Sequence, residues 1–200
     1  RNSFVDKKTP EQYISVQEWF KTDVNLNYYG AIFDSEITDF YSWTIPKDKY
    51  LILGSALKPN DRVIERFKLL KEKLKNFGFD FKNSVGINGA YLSRPKRCDQ
   101  LLIGAGRVAL TGEAGGFISP SSAEGFSYAF RSSLELSRAL NNGIEGWINL
   151  YKKNMSGLVR NIRLKNYKSI FMYNNFLRKN VMKSGVFSVK IEKEFERFKI

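Results

Sequence analysis

The chain is 200 residues long, 42% hydrophobic and 14% aromatic, with a formal net charge of +13. Such a length suits one domain or little more and can bury a core without disulfide staples. Cys98 is the only cysteine and histidine is absent, which excludes a disulfide framework, a cysteine metal cluster, and the common histidine-based zinc sites and catalytic triads.

Residues 1–58 read as strands. Tyr13 to Phe20 alternates in part, and Tyr28 to Phe33, Phe40 to Ile45 and Tyr50 to Leu53 are rich in aromatic and β-branched residues. Lys47-Asp48-Lys49 fits a hairpin turn between the last two. The clearest helix spans Asn60 to Phe77. Asn60 or Asp61 can cap it, and Val63, Phe67, Leu70, Leu74 and Phe77 recur at spacings of three and four. Gly78 sits at its stop, and its lysines line the other face, as on a solvated helix packed against a sheet.

Ser84 to Leu92 fits another strand and Arg107 to Thr111 a short one. From Ser122 onward the spacing is helical, over about 122–140, 144–160, 164–182 and 187–199, with breaks at Asn141-Asn142-Gly143 and Ser184-Gly185. Strands first and helices last predict an α+β chain: a mixed or antiparallel sheet with packed helices, then a helical C-terminal region.

The stretch from Arg107 to Phe130, RVALTGEAGGFISPSSAEGFSYAF, carries the main chemical signal. A short apolar run meets a glycine loop with one carboxylate, Glu113. Glycines admit positive φ and close backbone approach. Ser121 and Glu124 fit a capping box that would start a helix near Ser122, leaving N–H groups and a positive dipole end beside the loop. Such an end suits a phosphate or an electron-rich ring edge. A tight strand-to-helix connection with no ligand fits the same residues. Just upstream, Gly104-Ala105-Gly106-Arg107-Val108-Ala109 matches G-x-G-x-x-A, but an extended stretch follows where that fingerprint needs a helix, so a plain turn is expected there.

TGEAGGFISPSSAEGFSYAF closely resembles the second flavin-binding motif of the p-hydroxybenzoate-hydroxylase-like FAD oxidoreductases, in particular their geranylgeranyl reductase-like branch. The resemblance implies that Glu113 bonds the FAD ribityl chain. It makes Gly112, Ala114, Gly115 and Gly116 the close-approach backbone, and sets Pro120, Ser121 and Ser122 beside the flavin ring. Glu113 stands where the branch usually has aspartate, Gly116 where other members vary, and Ala123 where a glycine is usual. FYSWTIPK, Phe40 to Lys47, is similar to the branch's Y-x-W-x-x-P segment, which implies that Tyr41, Trp43 and Pro46 line the substrate side; the same residues also fit a sheet core. The opening RNSFVDKK is similar to the end of the family's Asp-Gly motif through Asn2, Ser3 and Val5, with Asp6 replacing an arginine.

In that family a first Rossmann segment precedes the Asp-Gly motif and grips the ADP half of FAD. By resemblance, the chain is therefore the C-terminal portion of a longer flavoprotein. Residues 1–106 would be mainly substrate-domain sheet and helix, 107–143 the second FAD-binding segment, and 144–200 a basic helical region. The complete protein would reduce isolated double bonds of an isoprenoid or lipid-like substrate by hydride transfer from reduced flavin. No catalytic acid or base is singled out, and no metal is expected. The chain alone is expected to hold FAD weakly or not at all, because several phosphate and ribose bonds would be missing. Apolar sheet surface left uncovered would favour self-association.

Other features allow further readings. Arg94, Lys96 and Arg97 cluster beside Cys98, as an anion site or simply a basic loop. Residues 1–150 carry 20 basic and 17 acidic side chains, residues 151–200 carry 13 and 3. That basic quarter interleaves Ile162, Tyr167, Ile170, Phe171, Phe176 and Leu177 with its cations, a pattern shared by helices packed on a core and by segments that lie on anionic membrane. The competing function class is a non-catalytic protein that binds a membrane surface or, without any recognition motif to support it, nucleic acid. No apolar run approaches the roughly 20 residues that span a bilayer and no signal-peptide pattern opens the sequence, so the expected compartment is the cytoplasm, with contact at the membrane periphery.

Overall fold

A computed structural model describes residues 8–22, 28–60 and 62–184. The chain divides into two compact units. One comprises the described residues up to Gln12 with Leu92–Leu177; the other comprises Tyr13–Tyr91 with the described residues from Arg178 onward.

The second unit is built on a five-stranded sheet in the order β2-β3-β4-β1-β5. Its strands are β1 (Glu11–Lys21), β2 (Gly30–Ile32), β3 (Ser42–Lys47), β4 (Tyr50–Leu57) and β5 (Ser84–Arg94). β1, β2 and β3 pair with their neighbours antiparallel, and Lys47 faces Tyr50 across a turn of Asp48 and Lys49, with Asp48 at φ 53°. Aspartate tolerates that left-handed conformation better than most side chains.

Alternation sorts the sheet into two faces. Val16 and Phe20 from β1, with Leu53 and Leu57 from β4, form a core with Val63, Phe67, Leu70 and Leu74 of helix α1 (Val63–Lys75). Glu18, also on that face, is buried and ion-paired with Lys71 at 2.8 Å. The opposite face carries Trp43, whose ring lies over Gly54 so closely that a Cβ there would come within 2.2 Å of it. The missing side chain explains why β4 continues through Gly54 to Leu57, four residues beyond the predicted Leu53.

α1 follows its predicted spacing, with one correction. Phe77 is 47% exposed rather than part of the apolar stripe. The helix ends at Asn76, Gly78 turns at φ 90°, and the Phe79 amide reaches back to Leu74 O, so Phe77 leaves the helical face. At the N-terminus the Asn60 side chain accepts the Arg62 amide at 3.1 Å; Asp61 lies outside the described residues.

The first unit is mainly helical. A small antiparallel hairpin, β6 (Gly104–Ala105) and β7 (Val108–Ala109), turns through Gly106, the plain turn expected of the G-x-G-x-x-A stretch. β7 is shorter than the predicted Arg107–Thr111. Helices α2 (Phe126–Asn141), α3 (Trp147–Asn154) and α4 (Ser156–Tyr173) follow; α5 (Asn175–Ser184) starts in this unit and from Arg178 onward is grouped with the other. The breaks fall at Met155 and Asn174 instead of near 161–163. Tyr128, Trp147, Tyr151, Met155, Leu158 and Ile162 pack with Phe117 into the core of this unit. The predicted helix at 187–199 and the opening motif residues Asn2, Ser3, Val5 and Asp6 lie outside the described residues. The result is the mixed α+β architecture the sequence predicts, with an antiparallel sheet and a helical C-terminal half.

Candidate functional site

The glycine loop leaves β7 through Leu110, whose carbonyl accepts the Tyr151 hydroxyl at 3.0 Å. Burial pushes the Tyr151 phenol up to about 12. Gly112, at φ 53°, turns the chain into a 3-10 turn over Gly112–Gly115, and Gly116 closes it at φ 82°. Two of these glycines answer to close contacts within the chain. A Cβ on Gly112 would press Ala129 of α2 at 3.2 Å, and one on Gly115 would strike Leu102 O and the Phe117 ring at 2.6 Å. The Gly112 amide donates to Ser132 Oγ on α2 at 2.8 Å, and the Leu102 amide to Gly115 O at 2.8 Å.

This bracing decides what the loop presents. Gly112 and everything from Gly115 to Ser121 is buried, whereas Glu113, Ala114 and Ser122 are exposed. Glu113 stands at the crest, with Oε1 accepting the Ser93 amide. Beyond it, the Ser122 hydroxyl donates to Ser119 Oγ at 2.8 Å, and the Ser119 and Ser121 hydroxyls lie 3.3 Å apart.

The helix does not start at Ser122, and Ser121 with Glu124 does not form the expected capping box. Ala123 sits in the left-handed region at φ 53°, which halts any helix there, and α2 begins at Phe126. Glu124 takes the capping role alone. Its carboxylate accepts the Ser127 amide and hydroxyl, both at 2.7 Å. Burial pushes this carboxyl upward, but the Ser127 hydrogen bonds, the Lys165 charge and the Phe126 amide together hold it below the ordinary glutamate value.

Arg94 and Tyr173 are part of the same arrangement. Arg94 is 5% exposed, donates from Nε to Pro120 O at 2.9 Å, and stacks its guanidinium 4.5 Å from the Tyr173 ring centroid. The Tyr173 hydroxyl donates to Ser121 O at 2.6 Å. The two residues clamp the Pro120-Ser121 backbone from β5 and from the end of α4. In the sequence Arg94 stands out only as a member of a basic cluster, and Tyr173 not at all; their joint role is nonlocal. That cluster is dispersed by its partners: Lys96 pairs with Glu11, and Arg97 pairs with Asp99 at 2.7 Å.

The proposed substrate-side residues belong to the sheet unit. Tyr41 and Trp43 share a face, with ring centroids 5.4 Å apart. Trp19 lies on that face as well, since it pairs with Ile52, two residues from Gly54. Pro46 pairs with Leu51, so alternation puts it on the face toward α1. The structure therefore brings Tyr41 and Trp43 together and separates Pro46 from them. Burial pushes the Tyr41 phenol upward.

No family model matches the chain. It is 37% identical over 188 residues to Protein CbrA of Escherichia coli O6:H1 (strain CFT073), covering 92% of this chain and 50% of that protein. CbrA of Escherichia coli K12 gives 37% over 179 residues, covering 88% and 49%. The chain thus spans about half the length of the curated relatives it matches. A solved geranylgeranyl bacteriochlorophyll reductase-like protein from Thermoplasma acidophilum is similar in structure with a TM-score of 0.72 at 15% identity, over 88% of this chain and 49% of its own. The chain shares its fold with about half of that protein. No helix among the described residues is long and apolar enough to cross a membrane.

Proposed function

We propose that the chain is the substrate-sheet and second-flavin-motif portion of an FAD-dependent oxidoreductase that reduces double bonds of an isoprenoid or lipid-like substrate. The observation that carries this reading is the exposed Glu113 at the crest of a turn whose glycines, Gly112, Gly115 and Gly116, are buried and braced within the chain. A carboxylate held there is an acceptor available to the hydroxyls of a polyol chain. The polar groups fit FAD: the Glu113 carboxylate to accept from the ribityl hydroxyls, the Ala114 backbone beside it, and the Ser122 hydroxyl at the far end of the loop. Pro120 and Ser121 contribute by fixing the loop through their carbonyls. The fold shared with a reductase-like protein points the same way.

A bound reduced flavin would supply the hydride for one carbon of the double bond, with the proton for the other carbon coming from water. This chain's share is binding and orientation: Arg94 and Tyr173 hold the loop in place, and Tyr41 and Trp43 offer apolar surface to a hydrocarbon. In a longer form extended before Arg1, anaerobically reduced flavin is expected to reoxidise when an isoprenoid with isolated double bonds is added, with saturated product formed in equal amount. A flavin that is bound and reduced but stays reduced with that substrate would contradict the reaction assigned.

A further inference from the structure

Between Glu145 and Glu192 the sequence has no acidic residue, while its described part, residues 146–184, holds nine lysines and arginines. General basic composition does not account for this run. On α1 the lysines alternate with Glu65 and Glu72, and Lys71 and Lys73 are ion-paired with carboxylates. On α4 no carboxylate occurs in any turn.

The outer face of α4 combines those cations with large apolar side chains. Leu164 is 61% exposed, Tyr167 60%, Ile170 56% and Phe171 46%, and Phe176, just beyond the helix, is 73% exposed. At 100° per residue these α4 positions fall on one arc, and Arg160, Arg163 and Lys168 lie within the same arc. Leu158, Ile162 and Ser169 occupy the buried side, and Lys165 is turned inward over the Tyr128 ring at 5.0 Å.

We propose that this face of α4 docks the protein on an anionic lipid surface. Exposed cations attract acidic headgroups, at about 1 kcal/mol for each Lys or Arg near the surface, while the apolar side chains enter the boundary with the acyl chains. Charge argues against a second copy as the occupant, because two faces that carry only cations repel. Leu164 and Ile170 argue against nucleic acid, whose binding platforms use aromatic rings for stacking. This inference goes beyond the flavin reading and does not depend on it.

The test is co-sedimentation of the 200-residue chain with phosphatidylcholine vesicles and with vesicles that also contain phosphatidylglycerol. Binding is expected only to the anionic vesicles and should weaken with salt. Arg160→Glu/Lys168→Glu should lower partitioning at least about tenfold, whereas Lys68→Glu/Lys75→Glu, an equal change in charge at exposed positions of α1, should alter it less than about twofold. Leu164→Ser/Ile170→Ser should weaken binding while leaving its salt dependence in place. All these side chains are exposed, and circular dichroism checks that each variant is folded. Equal losses in the two charge-reversed variants, stronger retention by duplex or single-stranded nucleic acid than by vesicles at the same salt, or no binding to anionic vesicles would each overturn the proposal.

Discussion

Ala123 shows how one residue reshapes the loop. It takes a left-handed φ of 53° at a position where the resembling motif usually has glycine. A β-carbon in that region costs roughly 1–2 kcal/mol, partly offset by the flexibility that alanine removes from the unfolded chain. Ala123→Gly is therefore expected to stabilise the protein by about 0.5–1 kcal/mol, seen as a higher urea midpoint; a loss of stability would show that the conformation carries no strain. Arg94 makes the opposite case. Its buried guanidinium is held by Pro120 O and the Tyr173 ring, so Arg94→Met should cost about 2–3 kcal/mol in chemical denaturation and release the Pro120-Ser121 backbone. A variant as stable as the parent would deny the clamp. Glu113 was legible as a ligand candidate because the loop pattern is local. Its bond to the Ser93 amide was not, since that partner stands 20 residues earlier and arrives only through the fold.

At the scale of elements, strands and helices announce themselves where packing is periodic and conceal themselves where a cap or a missing side chain decides. α1 is readable from Val63, Phe67, Leu70 and Leu74 because one face meets one sheet. Its end is not, because the turn at Gly78 throws Phe77 outward. β4 outlasts its apolar run because Trp43 fills the space above Gly54. The start of α2 follows from Glu124 rather than from a capping box, and this has a pH signature. The Glu124 carboxyl is held below its ordinary value in the folded protein. Its contribution is therefore present above the unfolded glutamate value and lost as pH falls through the lower folded one. Glu124→Ala should cost about 1 kcal/mol near neutral pH, with the difference from the parent vanishing in acid. A penalty independent of pH would mean that the carboxylate is not the cap.

For the whole molecule, the α+β order of strands and helices was legible, and the grouping into two units was less so. Contacts join the described residues up to Gln12 to Leu92–Leu177, across a separation that no sequence pattern reveals. Val85, Ile87 and Tyr91 on β5, and Phe126, Phe130 and Leu134 on α2, are all half exposed or more, in a chain that spans about half the length of its curated relatives. The proposal to be tested is that the glycine turn contributes to a flavin site together with further protein of the longer relatives' length. Titrating FAD into the 200-residue chain, into a form extended before Arg1, and into its Glu113→Ala variant tests this most directly. Little or no binding is expected of the short chain, binding at least about a hundredfold tighter of the extended form, and a loss of about tenfold or more on removing the Glu113 carboxylate. Equal affinity in the short and extended forms, or an extended form indifferent to Glu113→Ala, would contradict it.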